Sequence, residues 1–136
     1  MKKIIFIIML MCLTAVPVKA DEKKFPGILN TINGQMAAFL EDDFEKAFTF
    51  ASPSIRAIFQ TPERFGQMVI GGYPMVWRPN SVMFMGVRLE GGYVIQTIFL
   101  RDVSGNPHFL EYAMEKFDDV WKISGVHLLN SSAVGT

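Results

Sequence analysis

From residue 81 onward apolar and polar side chains alternate, and the breaks between the alternating runs are too short to carry a chain across a sheet. The runs cover residues 81–90, 93–102, 108–117 and 120–129, separated by Gly91-Gly92, the Ser104-Gly105-Asn106-Pro107 cluster and Asp118-Asp119. A period of two marks strands. Parallel neighbours would need a crossover of about a dozen residues, so these strands must pair as an antiparallel meander. Gly125 interrupts the last run and marks a bulge that would keep Trp121, Ile123, Val126 and Leu128 all facing inward. In the second run, Tyr93, Ile95, Thr97, Phe99 and Arg101 oppose Val94, Gln96, Ile98, Leu100 and Asp102. Both sets are largely apolar, which predicts a central, covered strand.

Ahead of this sheet the period is helical. Ile28, Ile32, Met36 and Phe39 make one stripe of a helix predicted over residues 28–40. Gly34 inside it costs about 1 kcal/mol relative to alanine, so another contact must favour or tolerate glycine there. Asp42, with Glu45 three residues on, has the spacing of a capping box. Phe44, Ala47, Phe48 and Ala51 share a face of the helix that follows. Ser52-Pro53 opens a third helix, with Ser52 as cap and Ile55, Ile58 and Phe59 as its apolar face. Thr61-Pro62-Glu63 opens a fourth, faced by Phe65, Met68 and Val69 and stopped by Gly71-Gly72. Pro74 and Pro79 predict an extended link from residue 73 to the sheet. Helices followed by a meander give an α+β domain, with N-terminal helices packed on a curved four-stranded antiparallel sheet. Such a cone has an open mouth where ligands tend to sit.

The first twenty residues read as a secretory signal peptide. Met1-Lys2-Lys3 is followed by an apolar run from Ile4 to Leu13 and by Val18-Lys19-Ala20, with small residues where a signal peptidase reads. Cleavage between Ala20 and Asp21 would export residues 21–136 to the periplasm or the medium. They are expected to form one domain, ordered over about 26–130. The apolar run is shorter than the roughly 20 residues a bilayer core needs, so no stable membrane insertion is expected after cleavage. Cys12 is the only cysteine and lies within the leader. The exported domain would then have no disulfide and no thiol chemistry, and must rely on its core. Lys2, Lys3 and Lys19 leave as well, so ten basic residues face thirteen acidic ones, a formal charge of about −3. That balance argues against nucleic acid as a partner.

Several blocks occur in order: Gln35-Met36-Ala37-Ala38-Phe39, Asp42-Asp43-Phe44, Ala47-Phe48-Thr49-Phe50-Ala51-Ser52-Pro53, Phe59-Gln60-Thr61-Pro62-Glu63-Arg64-Phe65, Met68-Val69 and Gly72-Tyr73-Pro74-Met75-Val76-Trp77-Arg78-Pro79. With the run from Trp121 to Leu129, they resemble the exported bacterial family catalogued as domain of unknown function 4864, over nearly all of residues 21–136. The resemblance implies a secreted α+β domain and transfers no activity or catalytic residue. The order of elements is also similar to nuclear-transport-factor-2-like cones, which host isomerases, dehydratases and binding modules alike.

Candidate chemistry is sparse. Ser52, Ser54, His108 and His127 could supply parts of a hydrolase triad, but no Gly-x-Ser-x-Gly elbow exists and Ser52 reads better as a cap. His108 and Glu111 point to opposite faces of one strand, while Met83 and Met85 share a face and read as core methionines rather than a copper site. No metal and no cofactor is expected. Asp42-Asp43 suits a helix start and Asp118-Asp119 a turn. The polar groups set among apolar ones are Tyr73, Trp77, Arg78, Gln96, Arg101 and Tyr112. If the face of Tyr93 to Arg101 is concave, Arg101 could meet a carboxylate at the mouth; otherwise Trp77 plugs the core and the arginines pair with Glu90 or Glu111. The leading expectation is a non-catalytic exported module that binds a small molecule or an envelope protein at the cone mouth. The alternatives are a cone-type enzyme using Glu111 or His108 as acid or base, with Tyr112 or Arg101 stabilising charge, and an assembly protein that dimerises through a sheet face.

Overall fold

The computed structural model describes residues 24–129. The expected signal peptide, residues 1–20, and the tail beyond residue 129 lie outside the described residues. Helices α1 (Ile28–Leu40), α2 (Phe44–Thr49), α3 (Pro53–Phe59), α4 (Pro62–Gly72) and α5 (Pro74–Trp77) precede strands β1 (Pro79–Glu90), β2 (Tyr93–Asp102), β3 (Pro107–Phe117) and β4 (Val120–Leu129). The strands form one antiparallel sheet in chain order, an open meander with helices on one face. The α+β architecture is as expected.

The two short hairpins follow from their turn residues. Gly91 and Gly92 (φ 57° and 84°) and Asp118 and Asp119 (φ 48° and 63°) all take left-handed backbone, the geometry that matches the twist of paired strands. Between β2 and β3, Asp102 accepts hydrogen bonds from the N–H groups of Ser104 and Asn106, each at 2.9 Å, and closes the loop.

Register decides which face is inside. Val94, Gln96 and Ile98 pair with Met114, Tyr112 and Leu110, and these six side chains face the helices. In β4, Ala113 pairs with Gly125 but Met114 pairs with Ile123, so the bulge expected at Gly125 is present. It brings Trp121, Ile123 and Val126 onto the core; Leu128 shares their side but is 43% exposed at the strand's far end. A second register shift in β1 falls between Phe84 and Val87. Met83 and Met85 are both exposed, not core methionines, because Met83 pairs with Phe99 on the outer face and Met85 sits in this irregular stretch.

The stripe Ile28, Ile32, Met36 and Phe39 is buried as its spacing predicts. A Cβ on Gly34 would stand 2.6 Å from the Phe50 ring, so glycine there is the contact surface for that ring. Gly34→Ala should therefore fail to deliver the usual helix gain of about 1 kcal/mol. Overpacking of about 1–3 kcal/mol should give a net loss, read as a lower urea midpoint.

Three local expectations need correction. Asp43, not Asp42, caps α2, accepting from the Lys46 N–H at 3.0 Å; Asp42 has φ 53° and turns the chain. Ser52 makes no side-chain cap to α3; its hydroxyl meets that of Ser54 at 2.9 Å, while its N–H donates to Ile123 O and ties the chain to β4. The link from Tyr73 to Pro79 is not fully extended. Pro74 occupies the first position of α5, where its missing N–H costs nothing, and one helical turn fits before Pro79.

Candidate functional site

The bulged β4 and the short α3 do not close completely on the helical layer. A cavity of about 270 Å³ remains between them. Its wall comes from Gln35 and Phe39 of α1, Ile55, Ile58 and Phe59 of α3, Phe65, Met68 and Val69 of α4, Ala51, Tyr73 and Val76, and from Tyr112, Ile123, Gly125 and Val126 of the sheet. The volume exceeds the roughly 150 Å³ of an engineered cavity that admits benzene, and approaches the roughly 300 Å³ at which ligand pockets begin. No residue of the wall is a carboxylate, an imidazole or a basic group.

Three polar side chains belong to this wall. Gln35 Nε2 donates to Ala47 O at 3.2 Å, and the Tyr73 hydroxyl donates to Val126 O at 3.0 Å. The Tyr112 hydroxyl is fully buried and has no hydrogen-bond partner among the described residues. Burial pushes its pKa far above the ordinary phenol value, and the nearby Tyr73 adds to the shift, so Tyr112 stays a proton donor. A buried donor left unpaired is uncommon enough to call for an explanation.

Of the six residues singled out from sequence, Tyr73 and Tyr112 therefore meet at the cavity. The other four do not. Trp77 Nε1 donates to Asp42 Oδ1 at 2.8 Å, and Arg78 lies 4.0 Å over the Trp77 ring. Arg78 also donates to Phe39 O at 2.6 Å and to Asp42 Oδ1 at 3.1 Å. It thus satisfies a carbonyl at the C-terminal end of α1, where cations are favoured, and clamps α1 to α5. Gln96 is buried on the helix side, but its Nε2 donates to Met85 O beside the β1 irregularity and to Thr97 O. Arg101 lies on the outer face, away from the helices, because the partners of Ile98 and Gln96 put the even-numbered side of β2 under the helices. It donates to Gly105 O at 3.0 Å and stacks on Phe99.

The acid and base considered for an enzyme are also elsewhere. Glu111 pairs with Arg88 at 2.8 Å on the outer face, and Arg88 also holds Glu90. His108 Nε2 lies 2.8 Å from Asp102 Oδ2 at the β2–β3 turn. The sequence reading missed Gln35 and the apolar ring of α3 and α4 as wall residues. Gln35 carried a signal: it stands three residues after Ile32 and four before Phe39, a polar group on an apolar stripe.

The clamp has a pH signature. The Trp77 hydrogen bond, with Arg78 beside it, holds the Asp42 carboxyl below its ordinary value of 3.8. A carboxylate with a depressed folded-state pKa adds stability that is complete above the unfolded value and is lost as pH falls through the folded one. Asp42→Asn should therefore flatten the acid limb of the stability curve below about pH 4. An unchanged limb in acid titrations followed by circular dichroism would remove Asp42 from the clamp.

Among the described residues no helix is long and apolar enough to cross a membrane, and no three His, Cys, Asp or Glu side chains gather as metal ligands. The search of curated proteins gave no match to this sequence. Among solved structures, the chain is similar to the solution structure of a SEC-C motif containing protein from Rhodopseudomonas palustris. The TM-score is 0.53 at 14% identity, over 74% of this chain and 77% of that one, a likeness of fold alone. Residues 21–136 match the family described as Domain of unknown function (DUF4864), and the chain belongs to that family.

Proposed function

We propose that this chain is an exported, non-catalytic binding domain that holds one small, largely apolar molecule in the cavity between the helices and β3–β4. The observation that carries the reading is the cavity itself: about 270 Å³ of space in a small domain, walled by aliphatic and aromatic side chains with a few polar groups. A concave, mostly apolar pocket with a few polar groups is the arrangement in which small ligands bind. The Ile4–Leu13 run and the Val18-Lys19-Ala20 end support export. The wall lacks the charged acid–base groups that a cone-type enzyme would use.

Titration of the purified protein with 1-aminoanthracene, a neutral fluorophore, tests the reading. Saturable, blue-shifted emission is expected, and Ile55→Trp should abolish it by filling the space. No saturation with the unmodified protein, or equal binding by Ile55→Trp, would sink the proposal. Export is checked separately by intact mass: periplasmic or secreted protein should begin at Asp21.

A further inference from the structure

The cavity's own chemistry narrows the ligand. Its wall offers no cation to a carboxylate or phosphate and no anion to an amine. An ion drawn fully inside, away from the open side, would give up its hydration without a counter-charge, which is prohibitive in an apolar site. The Tyr73 and Gln35 donors are already used on Val126 O and Ala47 O. One donor is left over, the Tyr112 hydroxyl, buried on β3 and without a partner among the described residues.

We infer that the ligand is a neutral apolar molecule bearing one hydrogen-bond acceptor, such as a carbonyl oxygen, and that the Tyr112 hydroxyl donates to that acceptor. This rests on the cavity being a binding site, as proposed above, and deepens it. The Tyr112 oxygen is surrounded too closely for a water molecule to touch it. An acceptor therefore reaches it only as the wall around the hydroxyl yields. Binding then satisfies a donor that the free protein leaves unpaired. This makes the hydroxyl a source of selectivity between molecules of equal size, because a ligand without an acceptor leaves it as it was.

Three probes of similar size separate the possibilities: ethylbenzene, acetophenone and benzoate, titrated at pH 7 into the full protein and into Tyr112→Phe. Acetophenone should bind and lose about tenfold in affinity in Tyr112→Phe, the scale of one net hydrogen bond. Ethylbenzene should bind both proteins equally or favour the variant. Benzoate should bind more weakly than acetophenone to either. The carbonyl stretch of bound acetophenone should sit at lower wavenumber than in alkane, and return towards the alkane value in the variant. Ethylbenzene binding with acetophenone insensitive to Tyr112→Phe, or benzoate binding more tightly than acetophenone, overturns the ligand class and leaves the cavity reading standing. Failure of both neutral probes to bind overturns the cavity reading itself.

Discussion

Replacing Phe65 with alanine should lower the unfolding free energy by about 3–5 kcal/mol. Phe65 is buried in α4 and touches one ring from each of the other three larger helices. Its centroid lies 5.9 Å from Phe39 of α1, 5.3 Å from Phe48 of α2 and 5.9 Å from Phe59 of α3. Truncation removes the transfer energy of one aromatic side chain together with three tilted or edge contacts, each worth about 0.5–1.5 kcal/mol where measured. Phe65 also forms part of the cavity wall, so the new void would join an existing one and the surroundings would have little to collapse upon. Urea unfolding should show a lower midpoint with little change in slope. A loss under about 1 kcal/mol would mean that the four helices do not share one core through this ring.

Tyr112→Phe should move stability the other way, by about 1–3 kcal/mol. The substitution keeps the ring that packs with Ile98, Leu110 and Met114 in the core and deletes only an oxygen with no partner among the described residues. A buried donor left unpaired forfeits its hydration without return, so its removal recovers that cost. The effect should appear in urea as a higher midpoint, and it should shrink when acetophenone saturates the unmodified protein, since bound ligand stabilises only the state that holds it. A destabilised variant in the absence of ligand would show that the hydroxyl has a partner after all.

The four strands, their order and the β4 bulge were legible because turn residues and alternation are local signals. Gly91-Gly92 and Asp118-Asp119 determine hairpins by backbone geometry alone, and Gly125 announced its bulge by interrupting a run of side chains. The inward face of β2 was not legible from β2. Both of its sides are apolar, and the choice is made by neighbours: Leu110, Tyr112 and Met114 stand beside one set, Glu111 beside the other. That is why Arg101 belongs to the outer face. The candidate site was legible in part for a related reason. Tyr73 and Tyr112 stood out as polar residues in apolar company, but so did Trp77, Arg78 and Gln96, which settle nearby backbone carbonyls or Asp42. A sequence shows that a polar group will be buried, whereas only the assembled neighbours show whether its hydrogen-bonding capacity is used up. The cavity is a property of how α3 meets β4, and no periodicity encodes the space between two elements.

Helix α3 has no fully buried residue, and Ile58 on its cavity side is 68% exposed. Segments with so little burial open at a small fraction of the global unfolding free energy. Its flanks suit such opening: Pro53 begins it and Gln60, with φ 70°, ends it. Were α3 to close over a bound ligand, the time to enter or leave would be set by how often α3 lifts rather than by diffusion. Observed association rates would then level off at high ligand concentration, and the plateau would report the opening frequency of a single helix. Residence time could in that case be tuned by substitutions on the outer side of α3 that never touch the bound molecule, leaving the selectivity proposed for Tyr112 unchanged.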